Sequence, residues 1–137
     1  MKKFTKSIVS IMLIAILSMT NIVAFATNEE ISPRLSHMSD AVMSFSATAN
    51  GGYIDVSYDC YDSFVRADLN VKIQKRFLLV FWNDIDEWNS YSTEIEDDFV
   101  HTFSLNGSGM YRAIFTLTIT GNDGTVDTIE KTIESKY

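Results

Sequence analysis

The sequence predicts an all-β fold, a β-sandwich of about seven short strands. Three observations carry this. Apolar residues recur with a period of two through most of the chain beyond residue 40, the spacing that sends alternate side chains to opposite faces of a strand. Clusters of Asn, Asp, Ser and Gly interrupt those alternations, notably Asn50-Gly51-Gly52, Asn106-Gly107-Ser108-Gly109 and Gly121-Asn122-Asp123-Gly124. The strongest helical competitor, Val65–Val80, is rich in β-branched and aromatic residues, which favour strand.

The chain opens differently. Lys2, Lys3 and Lys6 precede a stretch from Ile8 to Ala26 without a charged residue, and Ala24-Phe25-Ala26 places small side chains where a signal peptidase reads them. Residues 1–26 therefore read as a signal peptide cleaved after Ala26, giving a secreted, extracellular product that starts at Thr27. An uncleaved anchor needs ~20 apolar residues, and Ser18, Thr20 and Asn21 weaken the second half of this one. No Cys follows the apolar run and no apolar tail closes the sequence, so neither a lipoprotein nor wall sorting is expected. Residues 27–33 are polar, end in Ser32-Pro33 and read as a disordered leader. Residues 34–137 are expected to form the folded domain.

Within that domain the elements follow in order. Met43, Phe45, Ala47 and Ala49 form the apolar face of a first strand, closed by the Asn50-Gly51-Gly52 turn. Ile54, Val56, Tyr58 and Cys60 then alternate against Tyr53, Asp55, Ser57, Asp59 and Tyr61. Leu69, Val71 and Ile73 mark a third strand. The run Phe77–Trp82 is apolar on both faces, which calls for a bulge or hairpin between it and Ile73. Asn83–Asp98 is polar and acid-rich and reads as a loop with room for one short edge strand. Phe99, His101, Phe103 and Leu105 alternate next. Tyr111, Ala113, Phe115, Leu117 and Ile119 form the clearest strand, and Val126–Ile133 the last.

Composition narrows the function. The whole chain carries a formal net charge of −7, and loss of the three leader lysines leaves 8 basic against 18 acidic residues, or about −10. That charge favours a soluble monomer and disfavours nucleic acid and anionic membrane surfaces. The expected partner is an extracellular protein or glycan, with no membrane contact after signal cleavage. Cys60 is the single cysteine, so no intramolecular disulfide can form and the core alone must hold the domain. Its place on an apolar alternation predicts a buried thiol, and the lack of disulfides suits bacterial export.

Ser108-Gly109-Met110-Tyr111-Arg112-Ala113 resembles the approach to the F strand of immunoglobulin-type domains, where a Tyr precedes the second core cysteine by two residues and bonds backward. The resemblance implies a structural Tyr111, with Ala113 standing where the cysteine would be. The partner cysteine would map near Val56 or Tyr58. Trp82 is the candidate core tryptophan, with Trp88 the competitor. The mature chain also resembles a group of small secreted single-domain proteins of Gram-positive bacteria. They share an Arg near the domain start (here Arg34), an Asn-Gly turn, an Ile-Gln-Lys strand (Ile73-Gln74-Lys75), a Trp, and Gly-x-Tyr-Arg (Gly109-Met110-Tyr111-Arg112). This chain departs from them in its acid-rich middle. The resemblance implies a single immunoglobulin-like β-sandwich of about seven antiparallel strands, and export, without an activity.

Candidate sites are few. His37 and His101 are the only histidines, and neither stands in a nucleophile motif; Asp97 and Asp98 lie near His101 in sequence. Asp84, Asp86 and Glu87, and Glu94, Glu96, Asp97 and Asp98, have the i, i+2 spacing with which carboxylates ligate Ca²⁺, though no EF-hand pattern is present. Tyr53, Tyr61, Trp88 and Tyr91 are candidates for an aromatic ligand surface. The function expected is a secreted, non-enzymatic interaction or surface-associated module without a cofactor. The alternative is a calcium-stabilised or carbohydrate-binding sandwich, and a toxin or small hydrolase is a remote third.

Overall fold

A computed structural model describes residues 35–137. The expected signal peptide, its cleavage point and the leader lie outside the described residues. The chain from Arg34 to Tyr137 forms one compact unit. It holds seven strands: β1 (Met38–Thr48), β2 (Gly51–Cys60), β3 (Phe64–Phe77), β4 (Phe81–Ser92), β5 (Glu96–Phe103), β6 (Met110–Gly121) and β7 (Val126–Lys136). They build two antiparallel sheets, β1-β2-β5 and β4-β3-β6-β7. This is an immunoglobulin-like sandwich in which the fourth strand pairs with β3. In constant-type immunoglobulin domains that strand completes the other sheet.

The two inner faces follow from the alternations. Ile54, Val56, Tyr58 and Cys60 of β2 meet Leu69, Val71 and Ile73 of β3 and the whole inward face of β6. Tyr111, Ala113, Phe115, Leu117 and Ile119 are fully buried, because β6 lies between β3 and β7 with the second sheet across it. Burial at ~25 cal/mol per Å² of apolar surface makes this face the main source of stability. The Tyr111 hydroxyl donates to the carbonyls of Asn106 (3.0 Å) and Gly107 (2.5 Å), which ties the β5–β6 loop to the strand it precedes.

Two expectations need correction. Asn83–Asp98 is not mainly loop, since β4 occupies it as far as Ser92. β4 is an edge strand held by backbone pairing to β3 and by polar cross-strand contacts, which no apolar period reports. Asn70 Nδ2 donates to Glu87 Oε1 and to Asn89 Oδ1, both at 2.7 Å. Trp82 is not the core tryptophan: Trp88 packs against the core and Trp82 faces outward. Six residues apart, the two would share a face of a regular strand. The register shifts between Ile73 and Gln74, leaving Ile85 as an extra residue, and that bulge reverses the parity between them.

The sandwich has two dissimilar ends. One carries the β2–β3, β4–β5 and β6–β7 connections. The other carries the β1–β2 and β3–β4 hairpins and the β5–β6 loop.

Candidate docking site

The β3–β4 hairpin closes on five consecutive apolar residues, Phe77-Leu78-Leu79-Val80-Phe81. All five are exposed, from 53% at Phe77 to 86% at Leu79. In sequence this run is apolar on both faces and calls for a bulge or hairpin before it. The structure places it at the convex tip, because Phe77 pairs with Phe81 and the chain reverses between them. Leu78 and Leu79 have φ of 47° and 68°. Left-handed backbone costs roughly 1–2 kcal/mol per non-glycine residue, and Asn and Gly are the residues that tolerate it best. Apolar side chains are thus presented at a position where both solubility and backbone preference favour others. Strain of this kind collects at functional sites.

One rung below the tip sits a basic and aromatic collar. Arg76 pairs across the strands with Trp82, its guanidinium carbon 4.9 Å from the indole centroid. Arg112 on β6 reaches the same ring at 4.2 Å and donates through Nε to Gln74 Oε1 at 2.6 Å. Arg76 is also 3.6 Å from Glu134, while its buried Nε has no acceptor among the described residues. Lys75 lies 5.3 Å from the Tyr111 ring centroid and donates to the Asn106 carbonyl.

The opposite end is acidic. Asp40 faces Asp59 across β1 and β2, and Asp59 faces Glu96 across β2 and β5. With Asp97 and Asp98 they line an open groove of about 440 Å³. Like charges in register are destabilising, so the row is held by the core beneath it. The candidate Ca²⁺ ligands do not converge: Asp84, Asp86 and Glu87 lie on β4, and Glu94, Glu96, Asp97 and Asp98 lie around the start of β5 in the other sheet. Among the described residues no group of three or more His, Cys, Asp or Glu side chains could hold a metal ion. Asp84 instead accepts from Gln74 and lies 3.7 Å from Lys72.

The aromatic candidates are dispersed. Tyr53 is exposed on the outer face of the three-stranded sheet, and Tyr61 lies beyond the end of β2. Tyr91 is exposed on the outer face of the other sheet with the Arg66 guanidinium 4.3 Å over its ring. Trp88 turns inward and stacks on His101, which corrects its placement on a ligand surface. Cys60 is buried, and that burial pushes its thiol up to about 11.

Sequence reasoning missed the cluster around His37, which is buried at the acidic end. Its Nδ1 lies 2.8 Å from Ser63 Oγ and its Nε2 2.5 Å from Thr125 Oγ1; Thr125 Oγ1 in turn donates to Asp123 Oδ1 at 2.7 Å. The Thr125 side-chain and backbone hydrogen bonds hold the Asp123 carboxyl below its usual range, with the nearby His37 adding to this. Serine, histidine and aspartate meet here, yet the ring lies against Gly121 so closely that a Cβ there would come 2.2 Å from it. Both ring nitrogens are engaged by loop side chains. The arrangement is a satisfied buried polar knot joining the entry to β1 with the β2–β3 and β6–β7 connections, with no room over the ring for a substrate.

No protein-family model matches the chain, and no curated protein matches it.

Proposed function

We propose that the chain is a non-enzymatic extracellular docking module that engages its partner end-on, through the β3–β4 hairpin. The observation that carries this reading is the tip itself, five contiguous exposed apolar residues on a backbone reversal that disfavours them. Contiguous apolar exposure on a small soluble domain marks an interaction site. The signal-peptide pattern supports the extracellular setting, and the resemblance to small secreted Gram-positive proteins accords with it. The carbohydrate alternative has less to rest on, since its aromatic candidates lie on separate surfaces and Arg66 covers the ring face of Tyr91.

The test is co-sedimentation of the chain 27–137 with cell envelopes of the producing organism, beside a Leu78→Asn/Leu79→Gly double variant. The native chain should sediment and the variant should stay in solution with its melting temperature undiminished. Equal partitioning of the two refutes end-on docking.

A further inference from the structure

We infer that the partner of this hairpin is an anionic phospholipid surface, entered by Phe77, Leu78, Leu79, Val80 and Phe81 with Arg76, Arg112 and Trp82 at the headgroup level. The inference rests on the docking role proposed above and names the partner.

Shape is the first argument. The tip is a convex knob, whereas a protein partner would need a deep apolar pocket to cover five side chains projecting from one reversal. A fluid acyl layer conforms to such a knob. Phe77 and Phe81 stand two residues behind Leu79, or about 7 Å along a strand. That length matches the ~5–10 Å depth to which interfacial segments bury their apolar side. Backbone pairing also runs up to the tip, so unpaired groups are confined to the three residues of the reversal. Val80 N–H donates to the Leu78 carbonyl at 2.8 Å, and Phe77 and Phe81 are paired across the hairpin. Unpaired backbone is what lipid penalises most.

Charge is the second argument. Directly behind the apolar residues come a tryptophan and two guanidiniums, the side chains suited to the boundary between acyl chains and headgroups. Glu134 is the carboxylate that contacts Arg76, and Asp84 lies with Gln74 and Lys72. The Arg76 side chain is one-third exposed, so its outer guanidinium nitrogens remain within reach of a phosphate beside Glu134. The sequence-level expectation of no membrane contact came from net charge, which averages over the molecule. The acidic row of Asp40, Asp59 and Glu96 lies at the far end, where it faces away from a surface touched by the tip.

The experiment uses the chain 27–137 with sonicated vesicles of phosphatidylcholine alone and of phosphatidylcholine with phosphatidylglycerol, read by flotation and by tryptophan emission. The native chain should float with the phosphatidylglycerol vesicles and shift its emission to the blue, a shift absent in Trp82→Phe. The Leu78→Asn/Leu79→Gly variant should bind at least about a hundredfold more weakly, the scale expected on losing two buried leucines. Arg76→Gln/Arg112→Gln should remove the preference for phosphatidylglycerol. Failure of the native chain to float, or equal flotation of the tip variant, overturns the lipid assignment, and equal binding to both vesicle types overturns its anionic part. If vesicle binding fails while envelope sedimentation stays tip-dependent, end-on docking stands with another partner. If both fail, both fall.

Discussion

Trp88 and His101 lie face to face, their ring centroids 4.6 Å apart and their planes within 9°, although they belong to edge strands of opposite sheets. The stack closes the side of the sandwich on which β4 and β5 meet, and Phe103 extends it, 6.0 Å from His101. Truncating Trp88 opens that side. Trp88→Ala should cost about 2–3 kcal/mol, somewhat below the range for fully buried aromatics, while Trp82→Ala should cost about 1 kcal/mol because the half-buried ring loses mainly cation–π contacts on the outer face. Urea denaturation of the two variants measures the difference, and an equal loss would contradict the assignment of Trp88 to the core.

Tyr111→Phe keeps the buried ring and removes the hydroxyl that closes on Asn106 and Gly107. The expected loss is about 1 kcal/mol, with the two carbonyls left without that donor. Unfolding midpoints compared at constant denaturant slope measure it.

Cys60 gives the alkaline limb of stability. Its folded pKa is raised by burial from 9.0 to about 11, so the folded state favours the neutral thiol. The corresponding stability is complete below the unfolded pKa and is lost as pH rises through the folded value. Native protein at pH 8 should resist alkylation that labels the unfolded chain fully, and the decline in stability from pH 9 to 11 should be shallower in Cys60→Ala.

Leu78→Asn/Leu79→Gly tests the strain at the tip. Leu78 and Leu79 make no core contribution and occupy left-handed backbone, so replacing them with residues that tolerate positive φ should raise stability by about 1–3 kcal/mol. The same change should abolish docking. Opposite signs for stability and binding in one variant would separate a functional surface from a structural one.

The acidic end should respond to ionic strength without ion specificity. Melting curves in CaCl₂ and in NaCl of matched ionic strength should rise equally, because screening relieves repulsion along the Asp40, Asp59 and Glu96 row and no metal cage lies among the described residues. A larger rise in CaCl₂ would restore a calcium site.

What the sequence made legible depended on whether a residue's neighbours were close in sequence. β2 and β6 were readable because each is central to its sheet and buries every second side chain on one face. β4 was obscured because its partners, Asn70, Lys72 and Gln74, lie on another strand and bind it through polar groups. The bulge at Ile85 puts Trp82 and Trp88 on opposite faces, a change of parity that composition does not encode. Phe77–Trp82 carried its signal in plain sight as a run without alternation, but apolar character alone cannot tell a core strand from a tip. His37 finds its partners 26 and 88 residues away, beyond any local pattern.

The unequal ends of the sandwich also make the domain an electric dipole, with its negative pole at Asp40, Asp59 and Glu96 and its positive pole at Arg76 and Arg112. Near a charged plane such a body feels a torque as well as a net force. A molecule repelled on average by a negative plane is thereby turned until its hairpin leads, so collisions are sorted by attitude before any side chain touches.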